Sequence, residues 1–323
     1  MKKLQSNFAK LIDILNDGNY HDGTTIGDTL NITRSAVWKT IKKLQSYGIK
    51  VDSIKGKGYS LLEPLTLLKK KIIKQGISHE NIHIDVFETI ESTNDYLKQI
   101  PQSQHVTICI AEQQTQGKGR LSRSWYSPFG QNIYLSCRYP FQKDVSELAG
   151  LSLVVSLAIV KTLENYSLPN AILVKWPNDI IYDNKKISGN LIEIQAESNG
   201  ICHAMIGIGI NINMIEDENN AISQSWTSLR KIMACYIDRN QLCISLIDHL
   251  ITYLEQFAES GLSSFIHAWN ATDCLVNKEI SLKSGNRKIV GKAMGINTIG
   301  HLILQLKDGT QQTFSSGDAT IVK

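Results

Sequence analysis

Three cations, two glycines and a tryptophan fall close together in Gly117-Lys118-Gly119-Arg120-Leu121-Ser122-Arg123-Ser124-Trp125. Positive charge on a glycine-bearing loop suits an anionic ligand, and a nucleotide is the first to test. A phosphate-cradling loop requires G-x-x-x-x-G-K-[ST], which the residues from Gly117 onward do not supply. The dinucleotide fingerprint G-x-G-x-x-G fails as well: its sixth position is Ser122, and no strand-helix-strand unit with a downstream ribose-binding acid follows. The six cysteines, at 109, 137, 202, 235, 243 and 274, form no C-x-x-C pair. His83, His105, His203, His249, His267 and His301 show no ligand spacing, so free thiols and no protein metal site are expected.

The elements that must position this loop begin with bulk properties. At 323 residues the chain exceeds one typical domain. A hydrophobic fraction of 42% and a charged fraction of 20% are ordinary for a soluble globular protein. No apolar run reads as approaching the roughly 18 residues of a spanning helix. The N-terminus lacks the apolar segment and cleavage site of a signal peptide, so a cytoplasmic protein with no membrane partner is expected. The net charge of +4 is unevenly placed: residues 1–62 carry ten Lys/Arg against five Asp, a net of +5 that leaves −1 for the rest. A polyanion would therefore meet the N-terminal segment.

In that segment Leu4, Phe8, Leu11, Ile12 and Leu15 recur at helical spacing, and Asp17-Gly18-Asn19 ends the helix. A short helix fits residues 25–30, and Thr33 is placed to cap a third over 34–47. The third helix puts Val37, Ile41 and Leu44 on one face and Arg34, Ser35, Trp38, Lys39, Lys42 and Lys43 mostly on the others. Trp38 is expected to pack against a neighbouring element and is assigned no base contact. Residues 49–54 and 59–62 form short β runs around the basic turn Lys55-Gly56-Lys57-Gly58. Three helices and a basic hairpin are the parts of a winged helix-turn-helix. DNA binding is then assigned to Arg34, Ser35, Lys39 and Lys42 on the third helix and to Lys55 and Lys57 on the wing. The alternative is a small helical module with a solvated basic face.

Glu63-Pro64 marks a boundary, because the residue before proline is pushed out of helical geometry. Beyond it, strand-like runs at 83–87, 106–112, 133–138, 172–175, 180–182, 191–195 and 203–212 alternate with helical stretches at 93–100, 145–163 and 245–258. This predicts an α+β unit, one mixed or antiparallel sheet with helices on one side. From about residue 270, short strands at 279–283, 288–296, 301–306, 311–314 and 320–322 alternate with tight turns such as Asp308-Gly309. The chain divides on this reading into residues 1–63, 64–270 and 271–323.

Several motifs occur in a fixed order: Glu91-Ser92-Thr93-Asn94, Glu112-Gln113-Gln114, the loop G-K-G-R-x-x-R-x-W, Lys175-Trp176-Pro177-Asn178-Asp179, Lys186-Ile187-Ser188-Gly189 and Gly207-Ile208-Gly209-Ile210-Asn211. Through them the chain resembles, over essentially its whole length, the bacterial family of bifunctional biotin protein ligases and biotin-operon repressors. The resemblance implies a multidomain α+β protein: an N-terminal winged helix-turn-helix, a central mixed-sheet ligase domain like class II aminoacyl-tRNA synthetases, and a C-terminal SH3-like barrel. It implies that biotin is activated with ATP and Mg2+ as biotinoyl-5′-AMP and transferred to one lysine of a biotin carrier domain, as in acetyl-CoA and pyruvate carboxylases. It further implies that the adenylate is a corepressor, the liganded homodimer binding an inverted-repeat operator.

Forming an acyl-adenylate brings two anions together, so the site must screen repulsion and steady charge on the α-phosphate and departing pyrophosphate. Arginine supplies a permanent planar fork for this, pointing to Arg120 and Arg123. The resemblance places Ser92, Thr93, Asn94 and Gln114 round the ureido ring, the loop at Lys118, Gly119 and Arg120 over the vitamin, and Trp125 along its tail. It places Lys186 at the carboxylate or adenylate phosphate, and Asn211 and Trp226 by the AMP moiety with Arg120 and Arg123. Arg120, Lys186 and Asp179 form the expected catalytic set, with Asp179 orienting or deprotonating the incoming amine. The family often has glycine where this chain has Ser122 and arginine where it has Lys118, which implies altered loop kinetics without loss of chemistry. The C-terminal unit is expected to close the ATP site or guide the protein substrate, and residues 191–196 to form a dimer edge. Two alternatives stay open: a ligand-sensing regulator without ligase activity, which should have lost the charged machinery, and a lipoate ligase on the same fold.

Overall fold

The computed structural model describes residues 1–3, 6–101, 103–196, 201–217, 220–285 and 287–322; Leu4 of the first helical pattern lies outside them. The strand β1 (Lys2–Lys3) is followed by α1 (Ser6–Leu15), α2 (Gly23–Leu30) and α3 (Arg34–Ser46), then the hairpin β2 (Val51–Ile54) and β3 (Gly58–Leu61). Helix α2 starts earlier than its apolar pattern because Asp22 caps it, accepting the N–H groups of Thr24 and Thr25. Thr33 caps α3 as its sequence implies, accepting the N–H of Ala36 at 3.2 Å. Val37, Ile41 and Leu44 pack with Phe8, Leu11, Ile12 and Leu15, and this core also takes in Leu65, Leu67 and Phe129 from beyond residue 63.

The central part contains α4 (Lys70–Gly76), β4 (His83–Thr89), α5 (Thr93–Gln99), β5 (Thr107–Ala111), β6 (Ile133–Phe141), α6 (Leu151–Glu164), β7 (Leu173–Lys175), β8 (Asp179–Tyr182), β9 (Lys185–Ala196) and β10 (Cys202–Ile210), followed by α7 (Leu229–Met233), α8 (Arg239–Ser260) and α9 (Ile266–Thr272). Its sheet runs β1-β4-β5-β6-β10-β9-β8-β7, with β4 and β5 parallel and the other pairs antiparallel. The expectation of helices on one side is corrected: period-two alternation sends Ile108 and Ile110 into the core with α6 and α8, but Cys109 and Ala111 to the other face, where Leu97 of α5 packs with Phe87 and Met205. Strand β9 begins six residues before the predicted run at 191, because pairing to β8 and β10 extends a segment with no alternating signature. The stretch expected as one helix over 145–163 breaks at Gly150, φ 83, into a short turn and α6. Contrary to the run-length reading, Val145–Glu164 has the length and composition of a spanning segment; 61% of it is buried, and α6 packs against α8 and the sheet.

The C-terminal unit comprises β11 (Glu279–Ser284), β12 (Arg287–Ile296), β13 (Leu302–Gln305), β14 (Gln311–Phe314) and β15 (Asp318–Ile321), an antiparallel sheet in the order β14-β13-β12-β11-β15. It is tied to the central part by Trp176, only 1% exposed, whose indole N–H donates to the carbonyl of Gly300 at 3.0 Å.

Candidate functional site

Helix α5 opens the site on the sheet face away from α6 and α8. Ser92 caps it, Oγ accepting the N–H of Asp95 at 3.4 Å. The backbone N–H and the hydroxyl of Thr93 both donate to Gln114 Oε1, at 2.9 and 3.0 Å. The Gln114 amide donates to Ser127 Oγ at 3.3 Å. Ser136 on β6 lies 2.6 Å from both Thr93 Oγ1 and Asn94 Oδ1 and can donate to one at a time. Ser92, Thr93, Asn94, Gln114 and Ser136 line an inner cavity of about 820 Å3 of empty space, part of it open to solvent. Strand β10 turns Ile206, Ile208 and Ile210 to the core, while Gly207 and Gly209 face the cavity. A Cβ on Gly207 would meet Asn94 Oδ1 at 2.7 Å, and one on Gly209 would meet the Trp125 ring at 2.3 Å. The G-x-G spacing thus lets Asn94 and Trp125 lie flat on one strand.

An outer cavity, lined by Asn211 and Trp226, shares Arg123, Ser124, Trp125, Lys186 and Gln224 with the inner one. Lys186 stands at the junction, its Nζ 2.6 Å from Asp179 Oδ1 and 5.2 Å from the centre of the Trp125 ring. Its backbone binds Ser225 O and the N–H of Thr227 at 3.0 and 2.9 Å, which places Trp226 beside it. Arg120, expected at the adenylate, lines the inner cavity only, and donates to Asn178 Oδ1 at 3.2 Å and Gly317 O at 3.4 Å. Burial holds its guanidinium below the ordinary pKa although Asp318 and Asp179 favour the charge. Arg123 is paired with Asp318 of β15, and Lys118 Nζ lies 2.5 Å from Asp95 Oδ2. The loop is therefore pinned at one end to α5 and at the other to the C-terminal unit. Between these pins Leu121 and Ser122 adopt φ 54 and 58, left-handed backbone that costs an L residue roughly 1–2 kcal/mol and a glycine little. A glycine at position 122 would adopt this backbone without that cost.

Every residue expected at the biotin ring and tail lines the inner cavity: Ser92, Thr93, Asn94 and Gln114 with Lys118, Gly119, Arg120, Trp125 and Lys186. Sequence reading missed Ser136, which carries no motif, and Asp318, nearly two hundred residues from its partner. It also missed Glu193, which accepts from the Asn94 amide at 2.8 Å and lies 2.6 Å from Lys98 Nζ. Opposite Glu193, β9 is paired to β10 alone, because β8 reaches only as far as Gly189.

On the N-terminal unit, Arg34, Ser35, Lys39 and Lys42 are exposed along α3, and Lys55 and Lys57 at the hairpin tip. Lys43 is turned away from them: it pairs with Glu88 of β4, a fully buried carboxylate that also accepts the Tyr47 hydroxyl at 2.7 Å. Tyr47 stacks on Phe129, ring centroids 4.4 Å apart, so α3 is fastened to the strand and loop that lead into the inner cavity. Trp38, expected from sequence to pack against a neighbouring element, is 51% exposed.

Two joined cavities under a cationic loop, with a DNA-binding-type module fastened behind them, define a ligase fused to a helix-turn-helix. The Biotin/lipoate A/B protein ligase family matches residues 86–211, an HTH domain residues 9–60, and the Biotin protein ligase C terminal domain residues 275–321. The chain is 35% identical over 312 residues to the bifunctional ligase/repressor BirA of Salmonella typhimurium, covering 96% of each chain, and 34% identical to that of Escherichia coli, covering 97% of this chain and 96% of the relative. The biotin protein ligase of Aquifex aeolicus, solved in complex with biotin and ATP, superposes with a TM-score of 0.64 at 27% identity, over 75% of this chain and 99% of that one. The chain belongs to the bifunctional ligase/repressor family.

Proposed function

We propose that this chain is a biotin protein ligase that makes biotinoyl-5′-AMP from biotin and Mg-ATP, transfers the biotinyl group to a lysine of a carboxylase carrier domain, and in its adenylate-bound form represses transcription as a dimer. The observation that carries the reading is Lys186 at the junction of the two cavities. A ligand ring seated on Thr93, Asn94, Gln114 and Ser136 would present its tail carboxylate where a nucleotide in the outer cavity presents its α-phosphate. One carboxylate oxygen attacks that phosphorus, the bond to the β-phosphate oxygen breaks, and pyrophosphate leaves. Lys186, Arg120 and Arg123 supply positive charge to the oxygens involved. In the second step the lysine nitrogen attacks the acyl carbon, AMP departs with the bonding pair, and Asp179 takes up or steers the amine proton. Mg2+ arrives with the triphosphate as part of the substrate, since it keeps waters and binds through phosphates with one or two carboxylates. Among the described residues no group of three or more His, Cys, Asp or Glu could hold an ion alone.

Biotin is favoured over lipoate by the polar floor. A ureido ring offers donors and acceptors to Thr93, Asn94, Gln114 and Ser136, whereas a dithiolane would cover these polar groups and replace their hydration with no new hydrogen bond. Incubation with ATP, biotin and a carrier domain should add one biotinyl mass to the carrier; no gain sinks the ligase reading. Biotin at about 100 times its Kd should raise the unfolding free energy by about 2.7 kcal/mol, and lipoate should not. Arg120→Gly removes the contacts to Asn178 and Gly317 and should speed biotinoyl-AMP release about tenfold or more, read as adenylate lost to a trap. An unchanged rate counts against that role.

The three-unit division at 1–63, 64–270 and 271–323, with a synthetase-like centre, an SH3-like end and a cytoplasmic location, is part of the same reading. Support for the dimer comes from the open edge of β9 at residues 191–196, which a two-fold mate could pair. For the operator, Arg34→Ala and Lys39→Ala should each weaken binding at least tenfold in a mobility shift while carrier biotinylation continues. Wild-type operator affinity in both variants would remove α3 from the groove.

A further inference from the structure

Trp38 occupies the middle of the exposed side of α3, with Val37, Ile41 and Leu44 buried on the opposite side. Its neighbours on that side are Arg34, Ser35, Lys39 and Lys42, and Lys42 Nζ stands 5.9 Å from the ring centre. An indole left 51% exposed keeps about half of its area in water, and from that half the fold gains nothing. The cations around it select a polyanion as the occupant that would cover it. In the major groove of B-DNA the apolar feature is the C5 methyl of thymine, met by apolar side chains. We propose that Trp38 is a specificity-determining residue of the DNA-binding unit, reading thymine methyl groups in the major groove beneath α3. The proposal rests on the DNA-binding reading above and adds to it a preference for thymine that Arg34, Lys39 and Lys42, which as donors meet phosphates or acceptor edges such as guanine, do not provide.

The test uses the full chain with biotin and ATP to select duplexes from a random-sequence library, then compares the recovered duplex with a copy carrying deoxyuridine for thymidine, which lacks only the methyl groups. Burying a methyl group is worth about fourfold in affinity, so wild type should lose about tenfold or more over two half-sites. Trp38→Ala should bind both duplexes equally, near the weaker wild-type value, and Trp38→Phe should regain part of the discrimination. Binding of the alanine variant to unselected duplex, with an unchanged salt slope, shows that its phosphate contacts and fold persist. Equal wild-type affinity for the two duplexes, or undiminished discrimination by Trp38→Ala, overturns the proposal, as does a protein partner shielding Trp38 in place of DNA. If no duplex is recovered at all, the DNA-binding reading falls with it; if duplexes are recovered and need Arg34 and Lys39 but not thymine methyls, Trp38 alone falls.

Discussion

Replacing Lys186 by alanine is expected to slow biotinoyl-AMP formation about 10²- to 10³-fold, the range seen when a preorganised charge-stabilising group is lost. The ammonium stands where the two cavities meet, held by Asp179 at 2.6 Å and by the face of Trp125. Its removal does two things. It takes away a positive charge where the two cavities meet, and it leaves the Asp179 carboxylate without its counter-charge there. The two effects share a partner, so Lys186→Ala with Asp179→Asn should cost less than the sum of the single changes. Biotin binding without ATP should weaken far less than the rate, because the proposed seat of the ring is Thr93, Asn94, Gln114 and Ser136. Pyrophosphate release on mixing measures the rate; a variant within threefold of wild type would remove Lys186 from the chemistry.

The second large effect is on stability. Arg239, at the start of α8, and Glu112, at the end of β5, are both 0% exposed and lie 2.7 Å apart. The guanidinium also donates to Asn132 O at 3.0 Å and Thr66 O at 2.7 Å, and Glu112 accepts the N–H of Leu68 at 2.5 Å. The pair therefore joins the interdomain segment, the first long strand pair and the longest helix. Arg239→Ala leaves a buried carboxylate without its counter-charge and should cost about 3–5 kcal/mol, lowering Tm by roughly 10 °C. Replacing both residues by methionine should recover much of that loss, since the cost lies in the unpaired charge. A midpoint for Arg239→Ala equal to wild type in denaturant would contradict this account.

Much of the site was legible as types and order. Lys186 and Asp179 are legible as one set, and their 2.6 Å contact agrees; Gly207-Ile208-Gly209 is legible only as a motif, its steric reason being the approach of Asn94 and Trp125. What escaped were partners distant in the chain. Asp318 meets Arg123 only because the C-terminal sheet docks beside the loop, and Ser136 joins the floor only because β6 lies next to α5. Neither has a local pattern to announce it. Helix faces were misjudged for a related reason: a strand such as β5, apolar on both faces, does not tell which side a helix will cover.

By itself the sequence determined the succession of elements, the cationic loop, the polar residues of the ring pocket and the basic surface of α3. These depend on periodicity, capping and residue chemistry, all written within a few residues of one another. Only the tertiary structure decided that the two cavities meet at Lys186, that Lys43 is withdrawn from the other α3 cations to the buried Glu88, and that Trp38 is left half-exposed. Those are outcomes of packing between distant segments, where burial and pairing depend on which surfaces come together.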